Sequence, residues 1–545
     1  MSDLSADYVV IGGGTAGCVI ASRLAQASYS VILIEAGADE HTNPLITSPV
    51  AAPRLHHTEL EWNYKTIPQQ ALNGRQIYNC GGKLLSGSSA VNYGMWVRGD
   101  AADYNHWAKL AGNDRWSYQN LLPYFRRVET HYDANGDTTQ HGLEGPIHIT
   151  SGQRSYPLKA HVHEALLAAG HVDNADANTG TPIGISPWTE NWRNHLRQPS
   201  GVAYPLKNVR LLTSTLATKV VLDTTSSPPR AKGVRLANGA TVNASNEVST
   251  ACGALRTPQL LLLSGIGPPA ELSANKIPLQ AANIAVGNNF HDHVSLIQFH
   301  RLAPSYAAQG VAAGNPLFSA RPESQQGLPF DYVTTFTIPS EILSPAIQKD
   351  GGKGAELLEP PGRAQVEMMV AYTVLGRGNP AHSAPVDGTH ISTAVLLLTP
   401  TSRGSITLDP ANPTDAPCIN PNYLATNADR AMLREGVRAI LRVVDGLVKD
   451  GVLEGEKAPE GFPALGTESS DEDIDERIRQ LAATMYHPCG SVAMGSALDS
   501  ELRVNGVERL RVIDASAFPG MVAGHPQMAV YVLAERGADL VLGRT

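Results

Sequence analysis

Tyr8-Val9-Val10-Ile11-Gly12-Gly13-Gly14-Thr15-Ala16-Gly17 is the stretch on which the fold turns. Four apolar residues in a row read as a strand buried on both faces of a parallel sheet, where no alternation is required. A glycine-rich turn follows directly, and Val19, Ile20 and Leu24 then recur at helical spacing. A second apolar run, Val31-Ile32-Leu33-Ile34, ends on Glu35 and Ala36. The order is strand, G-x-G-x-x-G turn, helix, strand, acid, with Glu35 eighteen residues past Gly17. That is the context a dinucleotide site requires. Gly12, Gly14 and Gly17 allow close main-chain approach to a pyrophosphate, and Thr15 and Ala16 open a helix whose N-terminus faces its charge. Glu35 and Ala36 stand where ribose hydroxyls are taken, and an acid there disfavours a 2′-phosphate. A glycine-rich turn without a ligand is the alternative, and the motif alone does not separate FAD from NAD.

Outward from this unit, the chain of 545 residues carries 42 Lys and Arg against 51 Asp and Glu, a net charge of −9. That balance argues against a nucleic-acid partner, which would demand a basic face. No apolar run approaches the length that spans a bilayer, and 42% hydrophobic with 17% charged residues is ordinary for a folded protein. Met1 to Asp7 lacks a basic segment followed by an apolar one, and the terminal Gly543-Arg544-Thr545 is no peroxisomal tripeptide. Cys18, Cys80, Cys252, Cys418 and Cys489 are odd in number and scattered, unlike a disulfide framework. A cytoplasmic location is expected. The architecture reads as α/β with an α+β second domain. Residues 1–300 form the main dinucleotide-binding part, the loop-rich composition from Arg301 to Gly362 marks entry to a domain over 301–479, and 480–545 return to the first. Helical periodicity spans Ala428 to Val448, and Ser470 caps an acidic first turn of a helix running to about Tyr486.

Three longer stretches carry a resemblance. Asn79-Cys80-Gly81-Gly82-Lys83-Leu84-Leu85-Ser86-Gly87-Ser88-Ser89-Ala90-Val91-Asn92 is similar to the first signature of the glucose–methanol–choline (GMC) oxidoreductase family. Gly253 to Pro268 resembles its second signature, and Arg511-Val512-Ile513-Asp514-Ala515-Ser516 its flavin-contacting C-terminal segment. The resemblance runs from about residue 7 to 542 and implies a Rossmann-like FAD-binding domain built from discontinuous segments, with a substrate-binding domain over the flavin ring. It places Ser88, Asn92, Tyr93, Gly94, Asp514, Ala515, Pro526 and Gln527 against the cofactor and Val220 near the adenine. Ser86 departs from the family's glycine and would fit at negative φ. Val91 occupies the place where some relatives attach the flavin through histidine, so non-covalent FAD is expected.

His487 and His525 each precede a proline, which holds them extended, and the resemblance places both at the flavin. A neutral imidazole can accept the hydroxyl proton of an alcohol as hydride leaves, while a second hydrogen-bonds the alcohol oxygen. His487 is read as the base and His525 as its partner, an order the sequence leaves open. The helix from Gln527 to Leu542 would bring its positive end to the flavin pyrimidine edge. The expected reaction is FAD-dependent oxidation of a primary alcohol, aryl and furanic alcohols included, with oxygen or another acceptor reoxidising the flavin; a non-redox lyase or cyclase of the same family is the alternative. His291 and His293 have a metal-ligand spacing but no completing constellation, so no metal is expected. Cys489 reads as packing. Trp62, Tyr93, Trp96 and Phe336 read either as substrate-pocket lining or as core.

Overall fold

The computed structural model describes residues 4–151, 154–358, 362–376, 383–408 and 412–544. The extreme termini considered above, residues 1–3 and 545, lie outside the described residues, as does 359–361 of the loop-rich stretch. The opening strand, Leu4–Ile11, is flanked on one side by Val31–Ile34 and Val209–Leu212, all three parallel. On its other side lies Thr241–Thr250, also parallel. Beyond it Arg230–Leu236 and Ala217–Asp223 continue antiparallel, and Leu510–Val512 joins parallel at Val248 to Thr250. Val9 and Val10 are fully buried, as an apolar run covered on both faces must be. Helix Thr15–Gln26 lies between this sheet and the C-terminal helix Gln527–Val541.

A second sheet is antiparallel throughout, in the order Leu453–Glu456, Val294–Leu302, His390–Leu397, Val366–Ala371, Tyr332–Phe336, Gly184–Pro187. The long helix Asn427–Lys449 packs on it, with Lys159–Ala168 and Ser340–Lys349 beside that helix. The division expected at residue 300 therefore falls inside a strand, and an edge strand comes from residues 184–187, within the first segment. Composition carries no trace of such pairing, because an edge strand of four residues looks like any loop-flanked turn. The helix capped by Ser470 also ends earlier than expected, at Leu481. Ala482 turns extended (φ −56°, ψ 142°), and Ala483–Thr484 pair with Val294 and Ser295. His487 is thus carried by a segment stitched to the second sheet rather than by a helix end. Among the described residues, no helix is long and apolar enough to cross a membrane.

The segment after the first signature is anchored by buried charge. Glu129 accepts from Trp96 Nε1 (3.1 Å) and Arg98 Nη2 (3.3 Å), and His141 lies between Glu129 and Asp176, 2.7 Å from each. Burial opposes the imidazolium, but bonds to Asp176 and Glu129 prevail and push the His141 pKa up to about 9. A raised histidine pKa stabilises the fold fully below the unfolded value near 6.5, and that stability is lost as pH rises through about 9. The Tm difference between wild type and His141→Gln should accordingly be greatest below pH 6.5 and shrink as pH climbs past 9. A difference that stays constant across that range contradicts the clamp.

Candidate active site

A cavity of about 710 Å³ runs from the glycine turn to the second sheet. At one end the main chain is packed as closely as glycine permits. Gly12 has φ +95°, and a Cβ there would lie 2.5 Å from the Ala251 carbonyl oxygen. A Cβ on Gly87 (φ +52°) would lie 2.7 Å from the Cα of Gly14. The turn, the segment just before the second signature and the first signature therefore meet backbone to backbone. Gly12, Gly14, Thr15, Ala16, Glu35 and Ala36 line the cavity. Gly17 does not; its place is under the turn, where a Cβ would strike the Gly12 carbonyl oxygen at 1.8 Å. Glu35 accepts from the backbone N–H of Gly13 and of Gly37, both at 2.8 Å. Burial pushes its pKa up to about 7 against those donors.

Ser86 corrects an expectation: its φ is +83°, in the left-handed region. Three hydrogen bonds hold it there. Its N–H donates to Gly13 O (2.6 Å), its carbonyl accepts from Ser89 Oγ (2.7 Å), and its hydroxyl accepts from the Gly201 N–H (2.9 Å). Val220 is a second correction. It is buried inside its strand, with its N–H on Ser264 Oγ (2.8 Å), and the cavity wall there is formed by Thr215, Leu216 and Ala217.

Ser88, Asn92, Tyr93, Gly94, Asp514, Ala515, Pro526 and Gln527 all line the cavity. Asp514 ties two motifs together: one oxygen accepts from the Gly253 N–H (2.9 Å) and Thr257 Oγ1 (2.6 Å), the other from the Ser516 N–H (2.7 Å). Asn92 Nδ2 donates to Gln527 Oε1 (2.6 Å) at the start of the last helix, which opens on the cavity. Gln527 Nε2 is buried with no partner among the described residues, a donor awaiting an acceptor. Arg197, which the sequence reading missed, donates to the Asn92 carbonyl and to its side-chain oxygen. Trp62 and Tyr93 line the cavity, whereas Trp96 packs against Tyr531 and Phe336 against His171.

At the junction with the second sheet the rings of His487 and His525 lie 4.7 Å apart, inclined at 72°, and both face the cavity. Asp292 places the first of them. Its carboxylate accepts the His487 N–H (2.9 Å), Thr484 Oγ1 (2.6 Å), Asn79 Nδ2 (3.3 Å) and the Tyr423 hydroxyl. The segment bearing His487 pairs with the one bearing Asp292 through His291 and Cys489, N–H to carbonyl in both directions. His487 Nδ1 lies 2.8 Å from His293 Nδ1, and His293 Nε2 lies 2.8 Å from the Leu398 carbonyl oxygen. Burial, then the neighbouring His525 and His293, hold the His487 pKa well below the ordinary value, so the ring is neutral. His525 Nε2 meets Glu367 Oε1 at 2.9 Å, and Glu367 is buried in its strand. His291 turns instead to the Asn289 carbonyl (2.7 Å), and burial pushes the Cys489 thiol well up.

A largely parallel nucleotide-binding sheet, an antiparallel sheet over its ligand cleft and two histidines at the seam define a two-domain oxidoreductase. The chain belongs to the GMC oxidoreductase family: the models of its N-terminal and C-terminal regions match residues 6–295 and 400–534. It is 43% identical over 538 residues to the GMC-type oxidoreductase acuG of Aspergillus aculeatus, covering 99% of both chains. It is 32% identical to an oxygen-dependent choline dehydrogenase of Brucella anthropi, covering 99% of this chain and 96% of that one. Among solved structures it superposes on formate oxidase with a TM-score of 0.90 at 27% identity, over 100% of this chain and 99% of that one. The pyridoxine 4-oxidase of Mesorbium loti gives 0.82 at 27% identity, over 98% of both.

The residues present fit FAD. The glycine cradle admits a pyrophosphate, Glu35 retains lone pairs for ribose hydroxyls, and Gln527 Nε2 offers a donor in the wall. Val91 also lines the cavity and has no nucleophilic atom. Acid precipitation should therefore release FAD into the supernatant. On reconstitution, Glu35→Ala should bind FAD at least about tenfold more weakly, as expected for losing hydrogen bonds to a charged group. Colour retained in the acid pellet, or unchanged affinity in the variant, contradicts this assignment.

Proposed function

We propose that this chain oxidises a primary alcohol, aryl and furanic alcohols foremost, to the aldehyde, with oxygen or another acceptor taking the electrons afterwards. The observation that carries the reading is the His487–His525 pair at the seam between the dinucleotide cleft and an apolar chamber. FAD, when bound, supplies the hydride acceptor. The protein's part is to hold the alcohol and move its proton. His487, neutral and buried, presents a ring nitrogen that can take the hydroxyl proton. His525, held at Nε2 by Glu367, leaves its other ring nitrogen, Nδ1, to hydrogen-bond the alcohol oxygen as negative charge develops there.

The chamber favours a flat apolar substrate. Trp188 and Phe330 stack with centroids 4.2 Å apart and planes 12° from parallel, and Leu328, Met369 and Ala394 continue the same wall. They pack in one cluster with Met485 and Ala523, each two residues from a catalytic histidine. An aromatic ring gains both apolar burial and ring contacts there. Trp188→Ala should raise KM for a benzylic alcohol at least about tenfold, roughly 1.4 kcal/mol, and affect a short aliphatic alcohol less. Equal losses for both substrates contradict the aryl assignment.

His487→Ala and His525→Ala should each slow flavin reduction by at least about a hundredfold while FAD stays bound, the loss expected when acid–base catalysis is removed. Wild-type reduction rates in stopped flow for both variants would overturn the paired-histidine reading.

A further inference from the structure

We propose that His293 is a positioning residue that fixes the tautomer of His487, so that Nε2, and not Nδ1, is the nitrogen that receives the substrate proton. The inference rests on the alcohol-oxidation reading above and adds which atom performs the proton transfer and what sets it.

A short chain of contacts fixes where each ring proton lies. His293 is fully buried, and burial, then the neighbouring His525, lowers its pKa to about 3. The ring is therefore neutral and carries one N–H. Its Nε2 lies 2.8 Å from the Leu398 carbonyl oxygen, which can only accept, so the proton belongs on Nε2. That leaves His293 Nδ1 as a lone pair. His487 Nδ1 lies 2.8 Å from it, and two lone pairs at that distance would repel, so His487 Nδ1 carries the proton and donates. His487 is itself neutral, so its Nε2 is the lone pair. When the alcohol reacts, the O–H bond breaks and an N–H bond forms at this Nε2. The Nδ1–H bond to His293 is kept throughout and stabilises the imidazolium that forms.

The competing arrangement puts the His293 proton on Nδ1, donating to His487 Nδ1, and leaves a His293 Nε2 lone pair facing the Leu398 carbonyl oxygen. The chain of donors would then reverse. The two arrangements assign opposite protonation to both nitrogens of His487, so they can be told apart directly.

The test is a ring 15N spectrum of the FAD-loaded protein labelled at histidine, with the His487 signals assigned by their loss in His487→Asn. A protonated Nδ1 and unprotonated Nε2 on His487 are expected. A protonated Nε2 overturns the proposal, whatever the activity. In kinetics, His293→Leu removes the acceptor and should cut the flavin-reduction rate at least about a hundredfold at unchanged KM. His293→Gln keeps an acceptor oxygen and should recover most of that loss. Equal damage in both folded variants, or damage confined to KM, marks His293 as merely structural and overturns its positioning role. If the spectrum is as expected and no alcohol reduces the flavin, the reading of the substrate fails while the tautomer stands.

Discussion

The carboxylate of Asp292 is the constraint from which the active site hangs. Buried and pushed up in pKa by that burial, it accepts donors from four segments: Asn79 of the first signature, Tyr423 before the long helix, Thr484 in the short strand of the second sheet, and the backbone of His487. A buried acid is costly unless its lone pairs are filled, and filling them locks the seam between the two sheets at one point. His291, Asp292 and His293 are consecutive, so the same turn pairs with Cys489, places His487 and sets His293 against its ring. Packing alone could bring the two sheets together; the acid determines where the His487 side chain sits between them.

The two histidines proposed to move the proton are consequently held in unlike surroundings. His487 is buried against a neutral imidazole, and His525 against a carboxylate. That asymmetry gives the two rings different hydrogen-bond partners at one seam. The apolar chamber on the second sheet supplies little polarity of its own, so the polar work is concentrated at the seam.

Much of this was legible in the chain. The run from Tyr8 to Glu35 is local, so its strand, turn, helix and acid follow from periodicity and glycine placement, and they stand where expected. The signature stretches and both histidines could be placed at one site by resemblance. What escaped the sequence is of another kind. The positive φ of Ser86 depends on Gly13 and Gly201, partners far along the chain. Gly184–Pro187 becomes a strand only because Tyr332–Phe336 offers it an edge. His293 drew notice for a metal-ligand spacing and, by resemblance, as part of a structural Asp-His pair, while its partner His487 lies 194 residues away. Glu367 did leave a signal: a lone acid in the run Val366-Glu367-Met368-Met369-Val370, where a buried charge calls for a partner.

The central claim, that the histidine pair and the apolar chamber oxidise an alcohol, is tested most directly by the visible spectrum of the FAD-loaded protein under anaerobic conditions. Benzylic, furanic and aliphatic alcohols are added in turn. Bleaching of the oxidised-flavin bands by aryl or furanic alcohols, with formation of the aldehyde, is the predicted result. A flavin spectrum unchanged by every alcohol would contradict the account.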